Sequence, residues 1–205
     1  VRRARERFHR RPAAGPDARH GGCGARAARG AHHAGARLLR REHGHPPELR
    51  AGTTVYLGVN VEGALFSVGD GHYRQGEGET CGTALEGAMH VTLIVELIKG
   101  GAPAWPRFEH DDALLTVGSA RPLEDAWRCS QVEMVRWLAD LHGIGEIDAY
   151  QLCSQLCLSP LANVVDVNYS AVTKIPTGLL PAVSPYGGMH RRLRAAAATL
   201  PDRSG

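Results

Sequence analysis

Residues 51–86 read AGTTVYLGVNVEGALFSVGDGHYRQGEGETCGTALE. The β-branched and apolar runs at 53–59 and 63–68, separated by a turn at 60–62, predict two paired strands. Glycines stop the second run, and Asp70, His72, Glu77, Glu79 and Glu86 follow within a short reach. Asp70 and His72 are two positions apart, and in an extended chain such residues leave the same face, where one ion can be held between them. An imidazole and a carboxylate can hold a divalent metal with positions left open for water, and a nearby glutamate can then shuttle protons. The same residues also suit a tight turn, with Glu77 and Glu79 simply solvated.

The pattern extends outward on the C-terminal side. Residues 89–99, MHVTLIVELIK, form an apolar run stopped by Gly100 and Gly101 and predict a long strand, one face of which carries His90, Thr92, Ile94 and Glu96. A strand at 113–117 leads to Pro122, a good first helical residue, with Glu124 and Asp125 in the first turn. Ala126, Val132, Val135, Leu138 and Leu141 keep a helical period as far as Gly143, which supplies the stop. A second helix is expected over 146–156, with Ile147, Tyr150, Leu152 and Cys153 as its apolar positions, so 134–154 reads as scaffold. The last strand, 163–176, is interrupted at Asp166 and Asn168, which either reach a cleft or form a turn. From His190 onward a short helix and a frayed tail are expected. Strands before and after a central helical pair predict an α+β fold, mostly β, with a sandwich or barrel-like sheet.

The first 47 residues are of a different kind. They hold 12 Arg and no Lys against Glu6, Asp17 and Glu42, a balance of +9, whereas the rest of the chain is acidic and brings the total to +3. Val1 and Phe8 are the only β-branched or aromatic residues before Thr53. So little apolar surface cannot offset the entropy of ordering, and disorder is expected over 1–47. An arginine-rich arm can attract nucleic acid, yet interleaved aromatics and a reading motif are lacking, so nucleic acid is not an expected partner. No stretch approaches the roughly 18 apolar residues of a membrane span. The five cysteines, Cys23, Cys81, Cys129, Cys153 and Cys157, are odd in number and irregularly spaced, as reduced thiols in a cytoplasmic protein would be. Cys153 and Cys157, one helical turn apart, and Cys129 read as packed apolar groups, while Cys81 lies beside the proposed site as a candidate nucleophile.

Four blocks carry a family likeness: residues 51–86; MVRWLADLHGIGEIDAYQLCS at 134–154; NVVDVNYSAVTKIP at 163–176; and PYGG at 185–188. On these the stretch from 51 to about 188 resembles the C-terminal part of the acetamidase/formamidase family, metal-dependent hydrolases of short linear amides. The resemblance implies hydrolysis of formamide, acetamide or a similar amide to ammonia and a carboxylate, with a divalent metal, zinc being expected, as cofactor. Residue chemistry together with the position of the motif assigns metal ligation to Asp70 and His72, catalytic proton transfer to Glu86 and Glu77, and substrate contact to Gln75 and Glu79. The small amide is the expected partner, with a homo-oligomer as the expected assembly. The likeness divides the chain into a basic segment at 1–47, a family domain at 48–188 that is incomplete relative to the family, and a tail at 189–205. Family chains carry histidine motifs and an Asn-x-Asp element further upstream. Glu42-His43-Gly44-His45, read one base later, can encode Asn-Met-Asp-Thr, so residues 1 to about 46 are expected to be an out-of-frame translation. The competing expectation is a catalytically inactive fragment, and a more distant one is a basic-armed binding module.

Overall fold

In the computed structural model, residues 2–4, 24–27 and 47–200 are described. The strands are β1 (Arg2–Ala4), β2 (Gly24–Ala27), β3 (Thr54–Tyr56), β4 (Phe66–Gly69), β5 (His72–Arg74), β6 (Leu85–Glu86), β7 (Leu93–Val95), β8 (Arg107–Glu109) and β9 (Ala113–Ala120). Helices α1 (Leu123–His142) and α2 (Glu146–Leu156) follow, then β10 (Leu161–Asn163), β11 (Tyr169–Pro176) and α3 (Met189–Ala198).

The core forms around β9, an eight-residue strand whose first seven residues are all buried. A run buried on both sides needs apolar or small residues throughout, and ALLTVGSA supplies them. It pairs antiparallel with β11 on one side and β8 on the other, in an open five-stranded sheet of order β10-β11-β9-β8-β3. Leu114, opposite Ile175 in register, packs with Met134, Trp137 and Leu138 of α1 and with Ala149 and Cys153 of α2. On the other face Leu115, Val117 and Val172 meet Phe108 and Ala162. Gly118 lets the helix come close: a Cβ there would run into the Ala126 carbonyl and stand 2.5 Å from the Ser130 amide nitrogen. The helix is stitched to the sheet by polar groups that satisfy one another, Thr116 Oγ1 donating to the Ser130 carbonyl at 2.7 Å and Ser130 Oγ lying 2.8 Å from Thr173 Oγ1.

A polar layer joins the sheet to the C-terminal helix. Tyr56 donates to buried Glu109 at 2.5 Å, and its ring stacks on Tyr186 of the PYGG block with centroids 4.1 Å apart. Buried Glu133 accepts from Arg107 Nε at 2.6 Å, and the guanidinium lies over Trp137. His190, buried at the start of α3, contacts Thr54 Oγ1 at 2.8 Å and Asp111 Oδ1 at 2.9 Å. The expected tail at 189–205 therefore begins as a docked helix, because Met189 belongs to the apolar core.

Several expectations change. The α+β, mostly β class stands, but the principal sheet is open and no closed barrel is present among the described residues. The strands expected to pair with one another do not: β3 pairs with β8, and β4 with β2. Pairing partners come from distant sequence, and local alternation carries no information about them. The long strand expected at 89–99 is reduced to β7, paired with β1. Asp166 and Asn168 fall in the bend between β10 and β11, which are two antiparallel strands and not one interrupted strand. The disorder expected over 1–47 lies mostly outside the described residues, and the two described parts before residue 47 are the short strands β1 and β2.

A candidate metal centre at the β5–β6 hairpin

Asp70, His72 and Glu86 each offer one ligand atom, and the three atoms lie within 4.8 Å of one another. Strand register brings two of them together, since His72 on β5 stands directly opposite Glu86 on β6. Their side chains approach to 3.8 Å, Nε2 to Oε1. Asp70 arrives by another route. Its φ of +60° puts it in the left-handed region, which aspartate tolerates better than most residues, and its carboxylate turns back to 3.5 Å from His72 Nε2. Asp70 and His72 thus converge, but through a tight bend at Asp70 instead of the alternation of an extended strand.

The imidazole is sunk in the protein while the carboxylates face outward: the His72 side chain is 5 % exposed, Asp70 21 % and Glu86 47 %. One nitrogen and two carboxylate oxygens, partly open to water, make a donor set that suits a divalent metal with room for a further ligand. His72 Nδ1 is 3.0 Å from Gln75 Oε1, and Gln75 Nε2 donates to the Ala162 carbonyl of β10 at 2.9 Å. Gln75, expected to touch substrate, spends both ends of its amide on the protein.

The other expected residues are placed differently. Glu79 is buried with φ of +45°, and its carboxylate accepts from Asn163 Nδ2 at 3.0 Å. Glu77 is exposed on the same 3₁₀ turn, Glu77–Glu79, and is not among the three converging ligands. His90 is exposed and also outside that group. Cys81 is exposed, with its thiol 3.6 Å from the Thr83 carbonyl. Asn163 is the residue that sequence reading missed. Besides holding Glu79, its Oδ1 accepts from the amides of Val165 and Asp166, and the Val164 amide donates to the Gly78 carbonyl. An asparagine ahead of a turn was a visible signal for the first pair of bonds, but nothing local could reveal the bond to Glu79.

The described residues thus form an α+β domain, an open antiparallel sheet backed by helices, with an Asp/His/Glu cluster beside its β10 edge as a candidate metal centre. The chain belongs to the acetamidase/formamidase family, whose sequence profile matches residues 7–180. That match reaches into the arginine-rich segment, ahead of the stretch from 51 that carried the resemblance. An acetamidase of Mycolicibacterium smegmatis is 34% identical over 99 residues, which cover 45% of this chain and 24% of that protein. A putative formamidase of Schizosaccharomyces pombe is 44% identical over 55 residues, covering 26% of this chain and 13% of that protein. Among solved structures, an acetamidase from Yersinia enterocolitica superposes with a TM-score of 0.65 at 39% identity, over 67% of this chain and 42% of that one. An acetamidase from Bacillus halodurans superposes with a TM-score of 0.62 at 29% identity, over 66% and 46%. The chain therefore matches less than half the length of each of these relatives. Among the described residues, no helix is long and apolar enough to cross a membrane.

Proposed function

We propose that this chain carries part or all of an amide-hydrolysing site for short linear amides, releasing ammonia and a carboxylate. The observation that carries the reading is the convergence of Asp70, His72 and Glu86 within 4.8 Å on a hairpin of the family's sequence. A divalent metal bound there, zinc in this reading, would supply a Lewis acid and would lower the pKa of water toward neutrality. Asp70 and buried His72 would hold it, and in this reading Glu86, the third member of the cluster, stays off the metal. Glu86, the most exposed of the three, takes a proton from the attacking water and delivers it to the departing amide nitrogen. Glu77 on the neighbouring exposed turn is the alternative proton carrier, and Glu79 lies behind it toward β10.

The test is ammonia release from formamide and acetamide by the purified 205-residue chain, with and without added zinc. The expected outcome is zinc-dependent release that His72→Ala reduces to background, together with most of the bound zinc. Zinc binding and ammonia release both unchanged in His72→Ala would remove this cluster from the chemistry.

A second reading is favoured by the short span of the matches: the chain is a non-catalytic portion of the family's architecture. A metal lacking some of its surrounding groups binds weakly and positions its substrate poorly. Zinc bound at His72 without any ammonia release is the result that selects it. The out-of-frame reading of residues 1 to about 46, against which the family match from residue 7 counts, is decided by the nucleotide sequence across codons 42–48. A cytoplasmic location and a homo-oligomeric assembly complete the proposal.

A further inference from the structure

The geometry points to Gln75 as a positioning residue that fixes the tautomer of His72 and so aims its Nε2 at the metal site, an inference that rests on the metal-centre reading above. The argument starts from an atom that can only accept. The Ala162 carbonyl oxygen lies 2.9 Å from one end of the Gln75 amide, so that end is the NH₂ group. Reversing the amide would set two carbonyl oxygens against each other. The other end is therefore Oε1, again an acceptor, and it faces His72 Nδ1 at 3.0 Å. Nδ1 must carry the hydrogen. In a neutral imidazole the lone pair then resides on Nε2, which is the nitrogen facing Asp70 Oδ1 at 3.5 Å and Glu86 Oε1 at 3.8 Å. Backbone oxygen, glutamine amide and imidazole form one directed relay from the central sheet to the cluster.

A side chain that orients a metal-binding histidine is commonly worth about 10–100-fold in metal affinity. Gln75→Leu keeps much of the volume and removes both bonds. Gln75→Glu keeps an acceptor for Nδ1 but sets a carboxylate oxygen against the Ala162 carbonyl, so it separates the tautomer from the tie to β10. The readouts are the ¹⁵N shifts of the His72 ring in the full chain without metal, and zinc affinity by competition with a chelating dye. The expected results are an Nδ1–H ring in the unsubstituted chain and in Gln75→Glu, a mixture of tautomers in Gln75→Leu, and zinc affinity about 10–100-fold lower in Gln75→Leu. An Nε2–H ring in the unsubstituted chain overturns the inference, as does Gln75→Leu with tautomer and affinity unchanged. If Gln75→Leu does not fold, the ring spectra of the other two chains still decide. Failure of the metal reading is a separate outcome: the unsubstituted chain binds no zinc, whatever its ring spectrum shows.

Discussion

Glu109 sits in the interior with the Tyr56 hydroxyl 2.5 Å away, and burial holds its pKa above the ordinary value of 4.5, partly offset by that hydrogen bond and by His190. A raised carboxyl pKa means that, between the ordinary and the raised value, the folded protein keeps a proton that the unfolded chain has lost. Stability therefore falls as pH rises through that window. Glu109→Gln removes the titration, and urea midpoints measured from about pH 4 to 8 are expected to fall less steeply than in the parent chain; an unchanged slope would place the effect elsewhere. Residue spacing alone made the meeting of Asp70 and His72 readable. The means of meeting was not, since a φ of +60° at Asp70 is set by how the turn closes onto β5. Nor could the sequence show that Gln75 reaches a carbonyl 87 positions away.

Among the elements, α1 and α2 were the most legible. Their extents follow from local signals, the acidic first turns and Gly143, which does take the left-handed cap conformation with φ of +63°; the expected apolar face is only partly right, since Val132, Ile147 and Tyr150 are exposed while Ala149 and Cys153 enter the core. Strand partners were illegible for the complementary reason, since β3 and β4 alternate much alike yet join different sheets. The contact of α1 with β9 is where an element-scale prediction is sharpest. Gly118→Ala drives a methyl into the helix backbone at Ala126 and Ser130, neither of which is a flexible chain end. The cost is expected to be about 1–3 kcal/mol or more, read as a lower urea midpoint with the far-ultraviolet spectrum retained below it. Equal stability would mean that α1 can shift outward without loss.

The molecule as a whole presents large apolar side chains to water on the segments between β3 and β8: Phe66, Tyr73, Leu85 and Leu97 are all exposed, Leu97 at 72 %. Such surface favours association. Sedimentation velocity is expected to show concentration-dependent self-association that Leu97→Asp weakens without altering the thermal midpoint; a monomer at all concentrations would refute it. The clamp of β10 on the 75–79 turn also sets a timetable. During synthesis the β5–β6 hairpin leaves the ribosome well before β10, so the bond from Gln75 to the Ala162 carbonyl forms only after α1 and α2 have emerged. On the proposed reading, competence to chelate is thus a late acquisition of the nascent polypeptide: a chain arrested before β10 would carry Asp70, His72 and Glu86 yet lack the brace on Gln75.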